Sequence, residues 1–259
     1  MADAVRRIVV TGAAGVIGKA TCRRLIDDGH RVMAVDVDKD GGSALLEELS
    51  AGDRLHFCAA DVTNEFDVEA YVQEAVARLG GIDGFFNNAG IEGVVAPVTA
   101  YPTDVFDRVV AVNLRGVFLG LKHVMAAMAP AASGSIVNTA SVAGLVGSPG
   151  MAAYIATKHA VVGITKTAAI EGAAMGVRVN AVCPGPVESR MMRSLEDGLA
   201  GLLTLPDRDA AAAAIRQQLP ANRYARPEEV AALVAYLLSD SSSYISGAAI
   251  PIDWAGTAR

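Results

Sequence analysis

The chain has 259 residues, of which 52% are hydrophobic and 19% are charged, and its formal net charge is −6. This apolar share excludes an intrinsically disordered chain, and the mild acidity offers no basic stripe for binding nucleic acid. Uninterrupted apolar runs stay well below the ~18 residues of a membrane span, and the N-terminal region lacks a signal-peptide pattern. The 3 cysteines are too widely spaced for a disulfide framework. We therefore expect a cytoplasmic protein that binds no metal ion, nucleic acid or membrane.

Short apolar strands alternate with longer helical patterns along the chain. A strand is predicted at 6–11, and a helix at 15–28 that ends before Gly29, a typical C-cap residue. Further strands are predicted at 31–35, 55–60, 82–86, 135–139, 177–182 and 248–252. Further helices are predicted at 43–49, 65–79, 103–128 with an interruption before Asn113, 152–174, 209–218 and 227–238. This alternation is typical of βαβ units, which build a parallel sheet covered by helices on both faces.

No linker or change of composition divides this pattern. We therefore predict a single domain over residues 1–259, an α/β fold with a doubly wound, Rossmann-type parallel sheet of about seven strands. In such sheets ligands bind beyond the carboxyl ends of the strands. Functional residues are therefore expected directly after each strand.

The region from 188 to 226 has no clear periodicity apart from the alanine-rich helix at 209–218. Long segments of this kind often serve as lids, so we predict that residues 188–222 form a mobile substrate lid. Its apolar residues suit either a pocket wall or ordinary core packing: Met191, Met192, Leu195 and Leu199.

A glycine-rich turn follows the first strand. Gly12, Gly15 and Gly18 permit a tight turn in which a pyrophosphate approaches backbone N–H groups at a helix N-terminus. Asp36 closes the next strand, where a carboxylate can accept the ribose hydroxyls of an adenine nucleotide and repel a 2′-phosphate. No arginine stands beside it, and Asp38 adds negative charge, so the sequence favours NAD over NADP. The alternatives are a structural turn and a solvated acid at a strand end.

Three residues near the fifth strand could move a proton. Ser141 follows that strand, and Tyr154 and Lys158 lie at positions i and i+4 of the next predicted helix, on one face. A neighbouring cation is expected to lower the pKa of the phenol from ~10 toward neutrality. The phenol could then exchange a proton with a substrate oxygen that also accepts a hydrogen bond from the serine. The alternative is an ordinary pair on a helix surface.

In this order and spacing, the motifs resemble the short-chain dehydrogenase/reductase family, in its single-domain branch, over essentially the whole chain. The matching elements are Thr-Gly…Gly at 11–18, Asp36, Asp61-Val62, Asn-Asn-Ala-Gly at 87–90, Asn113, Ser141, Tyr154-x-x-x-Lys158 and Pro184-Gly185.

The resemblance implies a role for each matching residue. Tyr154 would be the general acid/base, Ser141 would orient the substrate carbonyl, and Asn113 would anchor a water in a proton relay. Lys158 would hold the nicotinamide ribose while lowering the pKa of the tyrosine. Asp61 and Val62 would contact adenine, and Val187 would contact the carboxamide through its backbone. The full set of implied cofactor contacts is Gly12, Gly15, Val16, Ile17, Gly18, Asp36, Asp61, Val62, Asn88, Ala89, Gly90, Tyr154, Lys158, Pro184, Gly185, Val187 and Ser189.

The resemblance further implies an NAD-dependent oxidoreductase that interconverts a secondary alcohol and a ketone and that forms a homotetramer. Two alternatives stay open. A 3-oxoacyl-(acyl carrier) reductase would call for a basic patch and usually NADP, and a non-catalytic dinucleotide-sensing domain would not need a tuned phenol. Substrate recognition is expected at 92–95, 142–151 and 188–222, where Glu92 binds a polar substrate group or is a solvated loop acid. Val16 stands where this branch usually has glycine or alanine, and is expected to alter the packing of the loop.

Overall fold

The computed structural model describes residues 4–258, so the ends of the predicted domain, residues 1–3 and 259, lie outside the described part. The strands are β1 (Arg7–Thr11), β2 (Arg31–Asp36), β3 (Leu55–Ala59), β4 (Gly84–Asn87), β5 (Gly134–Thr139), β6 (Val177–Pro184) and β7 (Ala249–Ile252). The helices are α1 (Val16–Asp27), α2 (Lys39–Leu49), α3 (Glu65–Leu79), α4 (Thr103–Val110), α5 (Val117–Met128), α6 (Ala152–Ala173), α7 (Arg190–Leu202), α8 (Arg208–Gln218) and α9 (Pro227–Leu238).

The strands form one parallel sheet in the order β3-β2-β1-β4-β5-β6-β7. The strands β2 and β3 lie on one side of β1, and the strands β4 to β7 lie on its other side. The strand order therefore reverses between β1 and β4, where Val10 pairs with Phe86. The crevice beyond such a reversal is where doubly wound sheets bind ligands. The predicted fold class, with its single domain and seven strands, is confirmed.

Apolar side chains cover both faces of the sheet, because successive residues of a strand point to opposite faces. In β1, Val9 packs with the helices α3, α5 and α6, whereas Ile8 and Val10 pack with α1 and α9. The cysteines are unpaired thiols, and Cys22 and Cys183 lie inside these two layers. The two helical layers thus bury both faces of the sheet.

The prediction that 188–226 holds only one helix is wrong, because α7 precedes α8. Helix α7 begins after Ser189, whose Oγ accepts a hydrogen bond from the Met192 backbone at 3.0 Å. Its buried stripe consists of Met192, Glu196 and Ala200. A glutamate and an alanine in that stripe hide the apolar periodicity by which a helix is recognised.

A π-helical turn, Ala111–Gly116, joins α4 to α5 and contains Asn113, so the interruption predicted before this asparagine surrounds it instead. The continuous helical stretch Thr103–Ala131 is long and apolar enough to cross a membrane by length and composition. The expectation that no segment reaches the length of a membrane span rests on uninterrupted apolar runs, and it did not identify this helical stretch. Half of its most apolar window is buried inside the fold, and core helices of soluble proteins meet the same criterion.

Candidate active site

The turn after β1 can be built only with glycine at two positions. Gly12 has φ +64°, and a Cβ there would lie 2.9 Å from the Ala89 Cα. A Cβ on Gly18 would clash with the Gly12 carbonyl oxygen. Gly15 is the N-cap of α1 and offers no side-chain cap to the first turn. Backbone N–H groups of that turn therefore remain available to an anion, as the sequence predicts.

Val16 is the first residue of α1 and is 40% exposed. Its expected effect on the packing of the loop stays a prediction. Ile17 follows it in the same first turn and is half-buried.

Asp36 lies at the end of β2, directly beside the glycine turn. Its Oδ2 accepts a hydrogen bond from the Ala14 backbone at 2.8 Å, and its Oδ1 accepts one from the Asp38 backbone at 3.0 Å. Each carboxylate oxygen has a second acceptor site beyond these bonds. The carboxylate is thus fixed at the loop and still able to accept ribose hydroxyls.

Asp61 and Val62 follow β3 at the same edge. The Asp61 Oδ1 accepts hydrogen bonds from both the backbone and the hydroxyl of Thr63, each at 2.8 Å. Val62 packs on the π-helical turn, where a Cβ on Gly116 would lie 3.0 Å from its Cγ2. Their contact with adenine stays a prediction.

The side chain of Asn88 joins three strand ends. Its Nδ2 donates to the Thr11 carbonyl at 3.1 Å, and its Oδ1 accepts from the Thr139 hydroxyl at 3.1 Å. The Thr11 hydroxyl in turn accepts from the backbone N–H groups of Asn88 and Ala89, at 2.9 and 3.2 Å. The crevice is therefore lined here by backbone, including Gly90. Sequence reasoning did not assign a role to either threonine, although both end strands that lead into the site.

Asn113 is fully buried in the π-helical turn. Its Oδ1 accepts from the Ile91 backbone N–H and its Nδ2 donates to the Ile91 carbonyl, both at 2.8 Å. A weaker bond runs from the same Nδ2 to the Thr157 hydroxyl at 3.4 Å. The side chain thus clamps the loop after β4 onto the helix α6. Its role in anchoring a water stays a prediction.

Tyr154 and Lys158 lie in the first turns of α6, as predicted, with the Lys158 Nζ 5.5 Å from the centre of the phenol ring. The ammonium donates to the Thr139 carbonyl at 2.7 Å. Ser141 follows β5, and its hydroxyl donates to the Pro184 carbonyl at 3.3 Å and accepts from the Ala143 backbone at 3.1 Å. The structure therefore brings the three proton-transfer candidates together.

The expectation that Lys158 makes the phenol acidic is wrong in this structure. Burial raises the pKa of Tyr154 to about 12; the Ser141 hydroxyl lowers it, and the Glu92 carboxylate adds to the rise. Burial also lowers the pKa of Lys158 to about 8. Desolvation disfavours the charged form of each group and is the largest cause of both pKa shifts. At neutral pH the phenol is therefore a proton donor.

The residues that follow β6 lie at the same carboxyl edge of the sheet. The Gly185 backbone donates to the Ile252 carbonyl at 3.1 Å, and Val187 pairs with Ala225. This pairing uses the Glu188 N–H and the Pro186 carbonyl, and leaves the Val187 N–H outside it. The Ser189 hydroxyl caps α7 and donates to the Val187 carbonyl at 3.1 Å. These positions are compatible with the implied cofactor contacts, which stay predictions.

A separate polar cluster lies on the surface between α3 and α5. Ligand atoms of Glu65, Glu69 and His123 lie within 4.8 Å of one another. The Lys122 ammonium already contacts the Glu65 carboxylate at 2.6 Å. The cluster is thus an ion-pair network in which lysine supplies the positive charge.

The whole chain resembles known proteins. A family model described as enoyl-(acyl carrier protein) reductase matches residues 12–256. Levodione reductase of Leifsonia aquatica is 42% identical over 251 residues, covering 96% of this chain and 92% of that protein. The 2,5-dichloro-2,5-cyclohexadiene-1,4-diol dehydrogenase of Sphingobium indicum is 35% identical over 254 residues, covering 98% and 97%. The crystal structure of NAD+-bound xylitol dehydrogenase has a TM-score of 0.92 and 37% identity, covering 95% and 96%.

These matches span the same stretch of chain as the glycine turn, the Tyr154–Lys158 pair and the seven-stranded sheet. The chain therefore belongs to the short-chain dehydrogenase/reductase family of NAD(P)-dependent oxidoreductases.

Proposed function

We propose that this protein interconverts a secondary alcohol and a ketone with NAD as cofactor. The observation that carries the proposal is the placement of Tyr154 and Lys158 beside Ser141, at the sheet edge that also holds the glycine turn. The similar proteins named above include a reductase and a diol dehydrogenase, which supports a hydroxyl or carbonyl group as the reacting group.

The residues of the crevice fit a dinucleotide. The uncapped first turn of α1 would hold the pyrophosphate, and Gly12 and Gly18 leave the space in which a side chain would block it. Lys158 would hold the nicotinamide ribose, and the Val187 N–H would meet the carboxamide. When bound, the nicotinamide supplies the carbon that accepts or gives up the hydride.

Asp36 supports NAD rather than NADP. Its carboxylate is held beside the glycine turn by two backbone N–H groups and has acceptor sites left for ribose hydroxyls. A 2′-phosphate at the same place would meet a negative charge, and a second one lies at Asp38, two residues on. A similar structure, that of xylitol dehydrogenase, holds NAD+.

Tyr154 is the group that we assign to proton transfer. With its pKa raised to about 12, the phenol is protonated at neutral pH and can donate to a carbonyl oxygen that becomes a hydroxyl. In the oxidative direction the phenol first has to release this proton to solvent water, and the Lys158 ammonium nearby would then stabilise the phenolate, which takes up the proton of the substrate hydroxyl. The Ser141 hydroxyl is held at 3.3 Å by the Pro184 carbonyl, a long bond that it can exchange for one to the substrate oxygen.

The test compares Tyr154→Phe with the matched control Tyr244→Phe. Tyr244 is fully exposed to solvent, so the control removes a phenol hydroxyl that takes no part in the site. Turnover of a panel of secondary alcohols and ketones is followed by nicotinamide absorbance, and cofactor binding by NADH and NADPH fluorescence. We expect Tyr154→Phe to lose several orders of magnitude in kcat while it still binds NADH, more tightly than NADPH. Normal turnover by Tyr154→Phe would refute the assignment.

A reductase of acyl-carrier-bound substrates is the second candidate, because the matching family model is described in those terms. Adding a 3-oxoacyl thioester to the panel distinguishes the two. Preference for the thioester and for NADPH would favour the second candidate. Binding of NADH without turnover of any compound would favour the dinucleotide-sensing alternative.

We further propose that the protein is a cytoplasmic homotetramer and that residues 188–222 act as a substrate lid. Apolar side chains exposed on single protomers, such as Ile170 (78%) and Trp254 (69%), support association. Light scattering in solution tests the tetramer. Hydrogen exchange with and without NADH tests the lid, which should become protected when cofactor and substrate bind.

A further inference from the structure

The loop that follows β4 passes directly along the start of α6. Near the start of this loop, a Cβ on Gly90 would lie 3.6 Å from the Lys158 Nζ. At its other end, Ala96 pairs with Met151, and the Ala96 N–H donates to the Gly150 carbonyl at 2.9 Å. Tyr154 lies between Met151, the N-cap of α6, and Lys158 in the sequence. The loop residues between 90 and 96 therefore run alongside the phenol.

This loop is held rigidly. The Asn113 side chain binds both the N–H and the carbonyl of Ile91 at 2.8 Å. The loop turns at Gly93, with φ +76°, and the Tyr101 hydroxyl contacts the Val94 N–H at 3.4 Å. Glu92 lies between these two attachments, so its backbone has a fixed position beside the catalytic pair.

Glu92 is a partly buried carboxylate without a partner. Among residues 4–258, no hydrogen bond or ion pair to its side chain is found. Its negative charge nevertheless reaches Tyr154, because it contributes to the raised pKa of that phenol. A partly desolvated carboxylate gains most when it accepts a hydrogen bond, and its electrostatic effect on Tyr154 places this carboxylate near the phenol.

The remainder of the loop faces apolar surface. A Cβ on Gly198 of α7 would lie 2.7 Å from the Val95 Cβ, so the predicted lid helix packs against the loop. The half-buried Met191, Leu195 and Leu199 belong to the same helix. A carbon skeleton bound beside α7 and the loop would thus have apolar neighbours on that helix and the Glu92 carboxylate as a polar contact near the phenol.

We propose that Glu92 is a specificity residue that accepts a hydrogen bond from a second hydroxyl of the substrate, one that does not react. This rests on the proposed function. The substrate class is then a neutral diol or hydroxyketone, and a substrate with a carboxylate near that position is repelled. The alternative left open by the sequence, a solvated loop acid, predicts no change in substrate preference when Glu92 is replaced.

The test measures kcat/KM with NAD+ for wild type, Glu92→Gln and a matched control, Glu47→Gln. Glu47 is exposed on α2 and far from the catalytic edge. The compounds are cyclohexanol, the 1,2-, 1,3- and 1,4-cyclohexanediols, and 4-hydroxycyclohexanecarboxylate. We expect Glu92→Gln to lower the preference for at least one diol over cyclohexanol about tenfold, because the amide oxygen still accepts a hydrogen bond but one to a charged acceptor is roughly twice as strong. The preference for 4-hydroxycyclohexanecarboxylate over cyclohexanol should rise, because the repelling charge is removed. Glu47→Gln should leave both kcat/KM ratios, diol to cyclohexanol and carboxylate to cyclohexanol, as in wild type.

Equilibrium binding of the same compounds, read as the shift in melting temperature without turnover, separates this inference from the proposed function. If the binding ratios change in Glu92→Gln but no compound is oxidised, Glu92 is a binding residue and the proposed function fails. If the compounds are oxidised and both ratios stay within twofold of wild type, the proposed function stands and the role of Glu92 is refuted.

Discussion

Lys158 is a buried ammonium, and its removal should stabilise the fold while it destroys the activity. The residue is 3% exposed, and burial lowers its pKa from 10.5 to about 8. Since one pKa unit corresponds to about 1.4 kcal/mol, keeping the charged form folded costs about 3 kcal/mol at pH 7. The sign follows from the direction of the shift. The unfolded chain holds this proton more tightly than the folded chain does. The free energy of unfolding therefore falls as pH falls from 10.5 to about 8, and it does not change further below that pH.

The substitution Lys158→Met also removes the hydrogen bond to the Thr139 carbonyl. An orphaned buried carbonyl costs about 1–3 kcal/mol, which offsets part of the gain at every pH. Because this cost is the same at every pH, it does not affect how the difference in free energy of unfolding changes with pH. The difference in free energy of unfolding between Lys158→Met and wild type should shrink by about 2 kcal/mol from pH 7 to pH 9.5.

Denaturant unfolding at the two pH values, at one fixed protein concentration, measures this difference. The matched control is Lys166→Met, which lies on the same helix α6 but is exposed, so that water already solvates its ammonium. We expect the control to show no comparable change between pH 7 and pH 9.5. A difference for Lys158→Met that is equal at both pH values would refute the claim that burial sets the pKa of this lysine.

Three further predictions concern the cofactor edge. In Gly18→Ala the new Cβ meets the Gly12 carbonyl, so the free energy of unfolding should fall by about 1–3 kcal/mol and the Kd for NADH should rise. The control is Gly163→Ala on α6, where the new Cβ meets nothing within 4 Å. This variant should bind NADH as wild type does and be slightly stabilised. In Asp36→Ala the ratio of NADPH to NADH affinity should rise at least tenfold, because a like charge is removed; an unchanged fluorescence titration ratio would contradict this. In Asn113→Ala the N–H and carbonyl of Ile91 lose their partners, so we expect a lower melting temperature by calorimetry and a reduced kcat.

The sequence predicted the sheet well and some helix starts poorly. Strands such as β2 and β5 are short apolar runs between turn residues, so their type and place can be read from composition alone. Helix α2 begins at Lys39, four residues before the predicted start at 43, because the Asp38 side chain caps it through the Gly41 N–H at 3.0 Å. Gly41 and Gly42, which disfavour a helix, lie in its first turn. Each glycine disfavours a helix by about 1 kcal/mol, but the single capping hydrogen bond of Asp38 still allows the helix to start here.

The chemistry of the site divides in the same way. The spacing of Tyr154 and Lys158 places them on one helix face, which a sequence shows directly. Their pKa values depend on burial, which is set by residues distant in the chain, and the predicted acidic phenol was therefore wrong. The scaffolding roles of Thr11 and Thr139 were missed for a related reason. Their hydrogen bonds reach Asn88 across neighbouring strands, and strand order is a property of the sheet rather than of the local sequence.

The hydrogen bonds at the carboxyl edge connect the cofactor turn to the acid/base pair. The Thr11 hydroxyl holds the Asn88 backbone at 2.9 Å, and the Asn88 Oδ1 holds the Thr139 hydroxyl at 3.1 Å. The Thr139 carbonyl in turn accepts the Lys158 ammonium at 2.7 Å. Because the Asn88 Nδ2 also reaches the Gly12 carbonyl at 3.3 Å, the glycine turn and the lysine are two ends of one network. We therefore expect a change in Asn88 to affect cofactor affinity and proton transfer together.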